Sequence, residues 1–582
     1  MTLSAWEPAA PPCDGAQPSV NARSASLVSA PAGRLLAGLV LLCLVPRAVM
    51  AWKLDAVCRD GVFYIQLAQA FEQGDVATGL NKLRLNAYPP LLALLHHVGL
   101  DWEWAGKFWG VCVSSLAVLP LFGWTRRQFD DRLATVACLL YAVHPKLIEW
   151  SPELVRDPTF WFFWTLSLYC CWRAAAETRW RWYLAGGVAI ALASHTRFEG
   201  WCLYLPLVWW SACRWPARRE LRRAVVANVA LSLAVCPLLI ALVNVTWLAR
   251  ESHWEWGNFS RLEYVALWFR AAVGNDEEAP AAVAVVSSAP APAGDRSPHA
   301  PRGATHHAER DDDNAVVTPP PRLSNARLLW IFTNTLRRGV GALFGLLWLV
   351  GFTTAPRTWL RRDQVVLFLI AAMIAVGIWI HLWYAQATSS RYFLALVLIG
   401  CPCAATGWLR LCDVWATWRK RSVAEFVRIP NVAVPIGTRA SSATRNGRRW
   451  RSAFIGVFVL LAVGGVGEAL ADRHDSRRRD AALGRWVLSE FGPGQRMVTS
   501  SDWDVLAYYA RGSAGPWPAA DEAGRRWPAA WRPDLAFVSR RGASPAQLRE
   551  FVAEATARGY RPLEPARLPA DFDWTDLLVL KR

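Results

Sequence analysis

The stretch 365-VVLFLIAAMIAVGIWIHLW-383 decides the fold. It contains no Asp, Glu, Lys or Arg, and it is long enough to cross a bilayer core, which takes about 20 apolar residues in a helix. Arg361 and Arg362 stand just before it. Outward from this block the same unit recurs. Apolar runs of about 17–22 residues alternate with short connections, and every second connection is basic. Basic loops stay on the side from which the chain is inserted, so this pattern orients the spans as well as marking them.

The composition agrees. The chain has 582 residues, of which 54% are hydrophobic, with 35 Trp. That is too apolar for a soluble protein of this length. The net charge of +18 could suggest a nucleic-acid partner. However, the Lys and Arg residues lie in runs between apolar blocks, and no basic face carries base-stacking aromatics, so no nucleic acid is expected. Most of the 13 Cys fall inside apolar blocks, such as Cys138, Cys170, Cys171 and Cys236. There they act as small hydrophobes. No CxxC pair indicates a zinc ribbon or a disulfide framework.

Placing basic loops inside predicts an α-helical polytopic membrane protein of about eleven spans, sited in the cell (inner) membrane. Residues 1–33, rich in Ala, Pro and Ser, read as a disordered cytoplasmic tail. Spans are expected near 35–52, 105–123, 133–149, 158–175, 182–195, 201–213, 224–248, 338–354, 365–383 and 393–412. The first outer loop covers about 53–104, and a low-complexity outer insert covers about 278–322. A basic cytoplasmic linker, 413–452, leads to a last span at 453–471. Residues 472–582 then form a small extracytoplasmic α/β domain. Its helices are expected at Ala481–Phe491 and Pro545–Arg558, and its strands at Arg496–Ser500, Asp534–Ser539 and Asp576–Leu580.

The polar residues that could carry chemistry gather in the outer turns. The first loop holds Cys58-Arg59-Asp60-Gly61-Val62-Phe63-Tyr64 at the start of a helical pattern. Asp60 reads either as a helix cap or as a general base at the membrane surface. Further on, Tyr88-Pro89-Pro90-Leu91 opens an apolar run to Val98, too short to span and suited to a helix at the interface. His96 and His97 sit on it as weak metal-ligand candidates. The second turn contains Glu153, Arg156, Asp157 and Pro158, with Asp157 as the expected cap of the next span. If that turn is helical, its three charges share one face and form either a local ion pair or part of a site. The third turn is Thr196-Arg197-Phe198-Glu199-Gly200, and a later one is Ser389-Ser390-Arg391-Tyr392. An Arg at the mouth of a span either snorkels or grips lipid phosphate, whose oxygens its planar fork fits in pairs. Carboxylates and arginines on one side of a membrane suggest group transfer from a phosphorylated lipid.

This set resembles the GT-C membrane glycosyltransferases, specifically glycosyltransferase family 39, which includes the protein O-mannosyltransferases and the lipid A aminoarabinose transferases. The likeness spans about residues 35–410. It rests on Arg59-Asp60 with Tyr64, Tyr88-Pro89-Pro90-Leu91, Arg156-Asp157-Pro158, Thr196-Arg197-Phe198-Glu199-Gly200 and Arg391-Tyr392. Family members often carry Asp-Glu where this chain has Asp60-Gly61, and aminoarabinose transferases often carry Lys-Gly-Pro where it has Arg197-Phe198-Glu199.

The resemblance implies a polyprenyl-phosphate sugar donor and an acceptor hydroxyl or amine on a protein, lipid or glycan. Asp60 would be the base, and Asp157 would orient the acceptor or position Arg156. Arg59, Arg156, Arg197 and Arg391 would hold phosphate. Tyr64, Glu153, Glu199 and Tyr392 would complete the substrate site. A phosphate leaves as a stabilised anion and needs cations more than a strong acid. No cofactor is certain, and a divalent metal stays open.

The rival reading is a polytopic transporter or lipid flippase. It would favour charges at mid-membrane and repeated halves, whereas here the charges sit at span ends and no repeat is visible. A membrane-anchored scaffold would leave the outer charges unexplained. The topology predicts that a membrane-impermeant thiol reagent labels a cysteine placed at Asn258 but not one placed at Asn446, in a background lacking the native thiols.

Overall fold

The computed structural model describes residues 30–249 except 82–84, residues 323–427 except 386 and 387, and, further on, 463–471, 475–499, 503–516, 534–539, 555–563 and 577–582, with a few isolated positions. Outside the described residues lie the expected tail as far as residue 29, the insert 278–322, and the expected linker and last span from 428 to 462 apart from two positions.

The described chain is mostly helical. Five helices in it are long and apolar enough to cross a bilayer: Gly33–Lys53, Trp102–Gln128, Arg219–Thr246, Val365–Trp383 and Ser390–Trp418. A sixth candidate is a pair, α13 (Asn325–Val340) and α14 (Ala342–Thr354), bent by 88°. The expected single span at 338–354 is therefore broken. Gly341 stands at the break with φ +78°, a left-handed conformation that glycine adopts without the usual Cβ penalty.

Other expectations shift for similarly local reasons. The span expected at 133–149 divides into α7 (Asp131–Val143) and α8 (Pro145–Trp150). Pro145 disfavours helical backbone at the preceding residue, and His144 is extended with ψ 117°. Residues 151–156 are a run of bends, so Glu153, Arg156 and Asp157 do not line one helix face. Pro152 and Pro158 flank this run, and each removes a backbone donor. α9 (Asp157–Glu177) then begins at Asp157, with Arg156 as its N-cap. α10 (Trp180–Thr196) runs back along α9, and a 3-10 turn, Phe198–Leu203, leads into α11 (Tyr204–Cys213).

The core of the helical part is aromatic as well as aliphatic. Trp124, Trp161, Trp164, Trp210 and Phe393 are fully buried in one continuous cluster with residues of α7, α9, α10 and the 394–405 stretch. Arg47 of α1 (Ala30–Lys53) is also fully buried, beside the turn that precedes α9. It donates to Ser151 Oγ at 3.0 Å, to the Cys43 carbonyl at 2.9 Å and to the Ala142 carbonyl at 3.2 Å.

The first outer loop folds into α2 (Arg59–Glu72), α3 (Val76–Asn81) and α4 (Tyr88–His97). α4 matches the expected interfacial helix. It buries Tyr88, Leu92 and Ala93 against Tyr64, Leu67 and Ala68 of α2, and exposes Leu94 and Val98.

After the helical part, five strands form one mixed sheet in the order β2-β1-β3-β5-β4. β1 (Arg496–Thr499) lies parallel to β2 (Ser513–Pro516) and β3 (Leu535–Ser539), while β5 (Leu577–Lys581) is antiparallel to β3 and β4 (Arg561–Pro562). Taking α15 as Val365–Ala385 and α16 as Leu394–Val427, the helices beside the sheet are α17 (Asp475–Phe491) and α18 (Trp503–Ala510). Leu483, Val487, Leu506 and Ala510 pack on Met497, Phe537 and Val579.

Arg47→Leu should remove the buried donors to Ser151 Oγ and to the Cys43 and Ala142 carbonyls. Lost buried bonds of this kind cost about 1–3 kcal/mol each. A clear drop in the thermal midpoint of the purified protein is expected, while Arg34→Leu, at the exposed start of α1, should leave it unchanged.

Candidate functional site

The site is built where the start of α9, the end of α10 and the turn before α16 meet the start of α2. α2 begins at Arg59 behind Cys58, which makes no side-chain cap. Asp60 lies in the first helical turn, where a carboxylate is favoured by the free amides of the N-terminus. Its side chain does not close the helix. It forms an ion pair with Arg391 Nη2. Arg391 stands in the 3-10 turn Ser390–Phe393 that opens α16.

Asp157 is the centre of the arrangement. Only 2% of it is exposed. It accepts from Arg197 Nη1 at 2.5 Å, and its charge also supports Arg391, more strongly than Asp60 does. Arg197 caps the end of α10. Its other nitrogens donate to Glu199, Nη2 at 2.6 Å and Nε at 3.2 Å. The result is a chain of alternating charge, Glu199–Arg197–Asp157–Arg391–Asp60. Burial alone would lower the basicity of both arginines, but the facing carboxylates outweigh it and keep both charged. Burial would likewise raise the Glu199 carboxyl, yet Arg197 holds it below its ordinary value.

Aromatic rings wall this chain. Arg197 lies 4.9 Å from the Tyr392 ring centroid and 5.8 Å from that of Phe160. Arg391 lies 5.3 Å from the Trp150 centroid. Tyr64 meets Tyr88 edge to face at 5.1 Å. Burial raises the Tyr64 hydroxyl, with Arg156, Asp60, Asp157 and Arg391 all acting on it electrostatically. Tyr64 therefore sits amid the charges.

Four buried polar atoms of these residues have no hydrogen-bond partner among the described residues: Arg156 Nη1, Arg391 Nε, Trp150 Nε1 and the Tyr88 hydroxyl. Arg156 acts on both Tyr64 and Glu199. Two guanidinium donors, an indole N–H and a phenol thus remain to be satisfied at one place, a demand that an anionic, oxygen-rich group would meet.

Of the residues singled out in the sequence, Asp60, Tyr64, Arg156, Asp157, Arg197, Glu199, Arg391 and Tyr392 come together. Arg59 and Glu153 do not join them. Arg59 Nε reaches Asp504 of α18 at 2.6 Å, and Glu153, only 1% exposed, accepts from Arg477 Nη1 of α17 at 2.6 Å. Arg197 is present, with its three nitrogens bonded to Asp157 and Glu199. His96 stacks on Trp102 with centroids 3.8 Å apart, and its Nδ1 bonds the Leu100 carbonyl at 2.7 Å. Among the described residues no three His, Cys, Asp or Glu side chains are grouped to hold a metal ion.

Trp150 is a site residue that only the structure identifies, and its signal in the sequence is an aromatic beside Glu149 just before the 151–156 turn. Gly61 also gains a reason. A Cβ there would come within 2.6 Å of Val57 Cγ1 and 2.7 Å of Leu154 Cβ, so glycine lets the start of α2 press against the turn before Asp157.

Residues 88–247 match the family model described as dolichyl-phosphate-mannose-protein mannosyltransferase. This segment contains Tyr88, Arg156, Asp157, Arg197 and Glu199, while Asp60 and Arg391 lie outside it. No curated protein matches by sequence. Among solved structures, the chain is similar to ArnT from Cupriavidus metallidurans. With undecaprenyl phosphate bound, that structure gives a TM-score of 0.53 at 16% identity, over 94% of this chain and 97% of ArnT. The apo form gives 0.52 at 15%, over 95% and 98%. A weaker likeness, at TM-score 0.49 and 13% identity, is to the Archaeoglobus fulgidus oligosaccharyltransferase, over 91% of this chain and 72% of that one. The resemblance to GT-C membrane glycosyltransferases seen in the sequence therefore holds. The fold is similar to that of ArnT along most of the chain, and residues 88–247 match the family model.

The Arg197–Glu199 tie has a signed pH dependence. Because the folded-state value of Glu199 is depressed, its stabilising contribution is complete above the usual carboxylate value of about 4.3 and is lost as pH falls through the lower folded value. Thermal midpoints of wild type and Glu199→Gln should differ most at about pH 6 and converge in more acidic buffer.

Proposed function

We propose that this membrane glycosyltransferase moves a sugar from a polyprenyl-phosphate donor to a hydroxyl or amine on an extracytoplasmic protein, lipid or glycan. The observation that carries the reading is the buried charge chain with its two unmet guanidinium donors, Arg156 Nη1 and Arg391 Nε. The family model is named for a dolichyl-phosphate donor, and ArnT, which shares the fold, was solved with undecaprenyl phosphate. Both are polyprenyl phosphates.

In the proposed reaction the acceptor oxygen or nitrogen bonds to the anomeric carbon. The bond from that carbon to the phosphate oxygen breaks. The electron pair leaves with polyprenyl phosphate, and the acceptor's proton passes to a carboxylate. Arg156 and Arg391 hold the phosphate and stabilise its growing charge. Asp60 takes the proton. Its side chain is 42% exposed and tied to one arginine, whereas Asp157 is buried and faces two. Asp157 is closed off from solvent and occupied by Arg197, so it positions the arginines instead. Asp60 takes the proton as the new bond forms, when the acceptor becomes acidic. Tyr64, Tyr88 and Tyr392 wall the sugar, and Arg197 with Glu199 fixes Asp157.

The wider arrangement is part of the same proposal: about eleven spans, the catalytic module at 34–412, a cytoplasmic N-terminus, and residues 472–582 as a domain on the outer side. The basic loops support this orientation.

Asp60→Asn keeps the size of the side chain and removes the base. General bases typically contribute 10²–10⁴-fold. With the purified chain and a panel of polyprenyl-phosphate sugars, donor consumption by Asp60→Asn should fall by about 10²-fold or more. Equal consumption by both proteins would remove Asp60 from this role.

A further inference from the structure

We infer that α17 and α18 form a latch that sets the distance between Asp60 and the Arg156–Asp157 pair, with Arg477, Asp504 and Tyr509 as positioning residues. The inference rests on the catalytic reading above for its effect on rate, but not for the latch itself.

The two segments that deliver these groups are irregular. Residues 54–58 join α1 to α2 and end two residues before Asp60, and residues 151–156 are bends that run into Asp157. Neither belongs to a helix of its own, and each has only a few local backbone hydrogen bonds, such as Leu54 to the Met50 carbonyl and Val155 to the Glu153 carbonyl. Both are gripped by the same two helices.

On the first segment the grip is largely on backbone atoms. The Tyr509 hydroxyl accepts from the Val57 amide at 3.1 Å. Arg485 donates to the Asp55 carbonyl at 3.0 Å and Arg478 to the Lys53 carbonyl at 2.9 Å. Arg59, next to Asp60, pairs with Asp504 at 2.6 Å. Ala56 is buried against Ala481 and Val505. From the helical side, Lys107 donates to the Leu54 carbonyl at 2.6 Å. The segment is therefore held from both sides. The second segment is held from the helical side by Arg47 on Ser151, and from the latch by the Glu153–Arg477 pair, three residues before Arg156, and by Tyr508 and Tyr509 packed in the cluster that contains Leu154.

Simple docking of a separate module needs apolar area and rim charges anywhere on the facing surface. These contacts instead concentrate on the two stretches that end in the proposed base and in the proposed phosphate arginine. Arg477 and Arg485 lie on one helix, and α17 and α18 pack together. A single rigid unit thus spans both stretches. Rates of oriented reactions are steep in distance, and a displacement of about 1 Å can cost about 10²-fold.

The test uses the full-length chain in lipid nanodiscs. Arg477→Met removes the cation, Arg477→Lys keeps it, and Tyr509→Phe removes a single hydroxyl and is the variant least able to unfold the chain. Hydrogen–deuterium exchange is read over 54–65 and 151–160, and kcat and KM are read with the polyprenyl-phosphate sugar that the wild type consumes. The latch predicts faster exchange over 151–160 in Arg477→Met and over 54–65 in Tyr509→Phe. It also predicts a kcat reduced by about 10²-fold in Arg477→Met with donor KM unchanged, and a return of most of that rate in Arg477→Lys. Unchanged exchange in both variants overturns the latch. Faster exchange with wild-type kcat overturns its catalytic role. Should the wild type consume no donor, the transferase reading fails, and exchange alone still decides the latch.

Discussion

A carboxylate buried between two guanidiniums governs the rest of the site. Taking one such ion out of water costs several kcal/mol even after relaxation. A facing charge at about 4 Å returns about 4 kcal/mol at an effective dielectric of 20. Arg197 donates to Asp157 directly, and the Arg391 charge faces it as well. The consequence is structural. α9 begins at Asp157, α10 ends at Arg197, and the turn opening α16 carries Arg391. Their ends must converge for the charge to be tolerated. That convergence then places Arg391 where it reaches Asp60 on a loop more than 300 residues away in sequence.

The same logic divides the labour among the arginines. Arg197 is closed on Asp157 and Glu199, so its task is to orient. Arg156 and Arg391 each keep a buried donor unmet by the described residues. In a low-dielectric setting an unmet donor is costly, and an incoming phosphate would relieve that cost. Binding energy would then come from groups already in place and need little reorganisation, which is how preorganised electrostatic sites work.

Much of this was legible in the chain. The block 365–383 announces an apolar helix long enough to cross a bilayer, and that helix is present. Pairing was not legible, because nothing near Asp60 points to residue 391. Arg59 and Glu153 look like site residues by type and position, yet their partners Asp504 and Arg477 lie in a sequence with no visible tie to the first loop. The broken helices at His144 and Gly341 were missed because the apolar pattern runs through both breaks, while the change of direction depends on one backbone conformation. Gly61 reads as a departure from a family pattern, whereas its packing against Val57 and Leu154 gives it a steric reason.

The central claim is that the charge chain around Asp157 is a polyprenyl-phosphate site. The most direct measurement is the dissociation constant of the sugar-free polyprenyl phosphate from the nanodisc-embedded chain, for wild type, Arg156→Gln, Arg391→Gln and Arg59→Gln. Charge-assisted bonds to phosphate are worth about 1.5–3 kcal/mol, or roughly 10–100-fold in affinity. Weakening by that amount in Arg156→Gln and Arg391→Gln, with Arg59→Gln binding like wild type, is the predicted result. Unchanged affinity in the first two variants would contradict it.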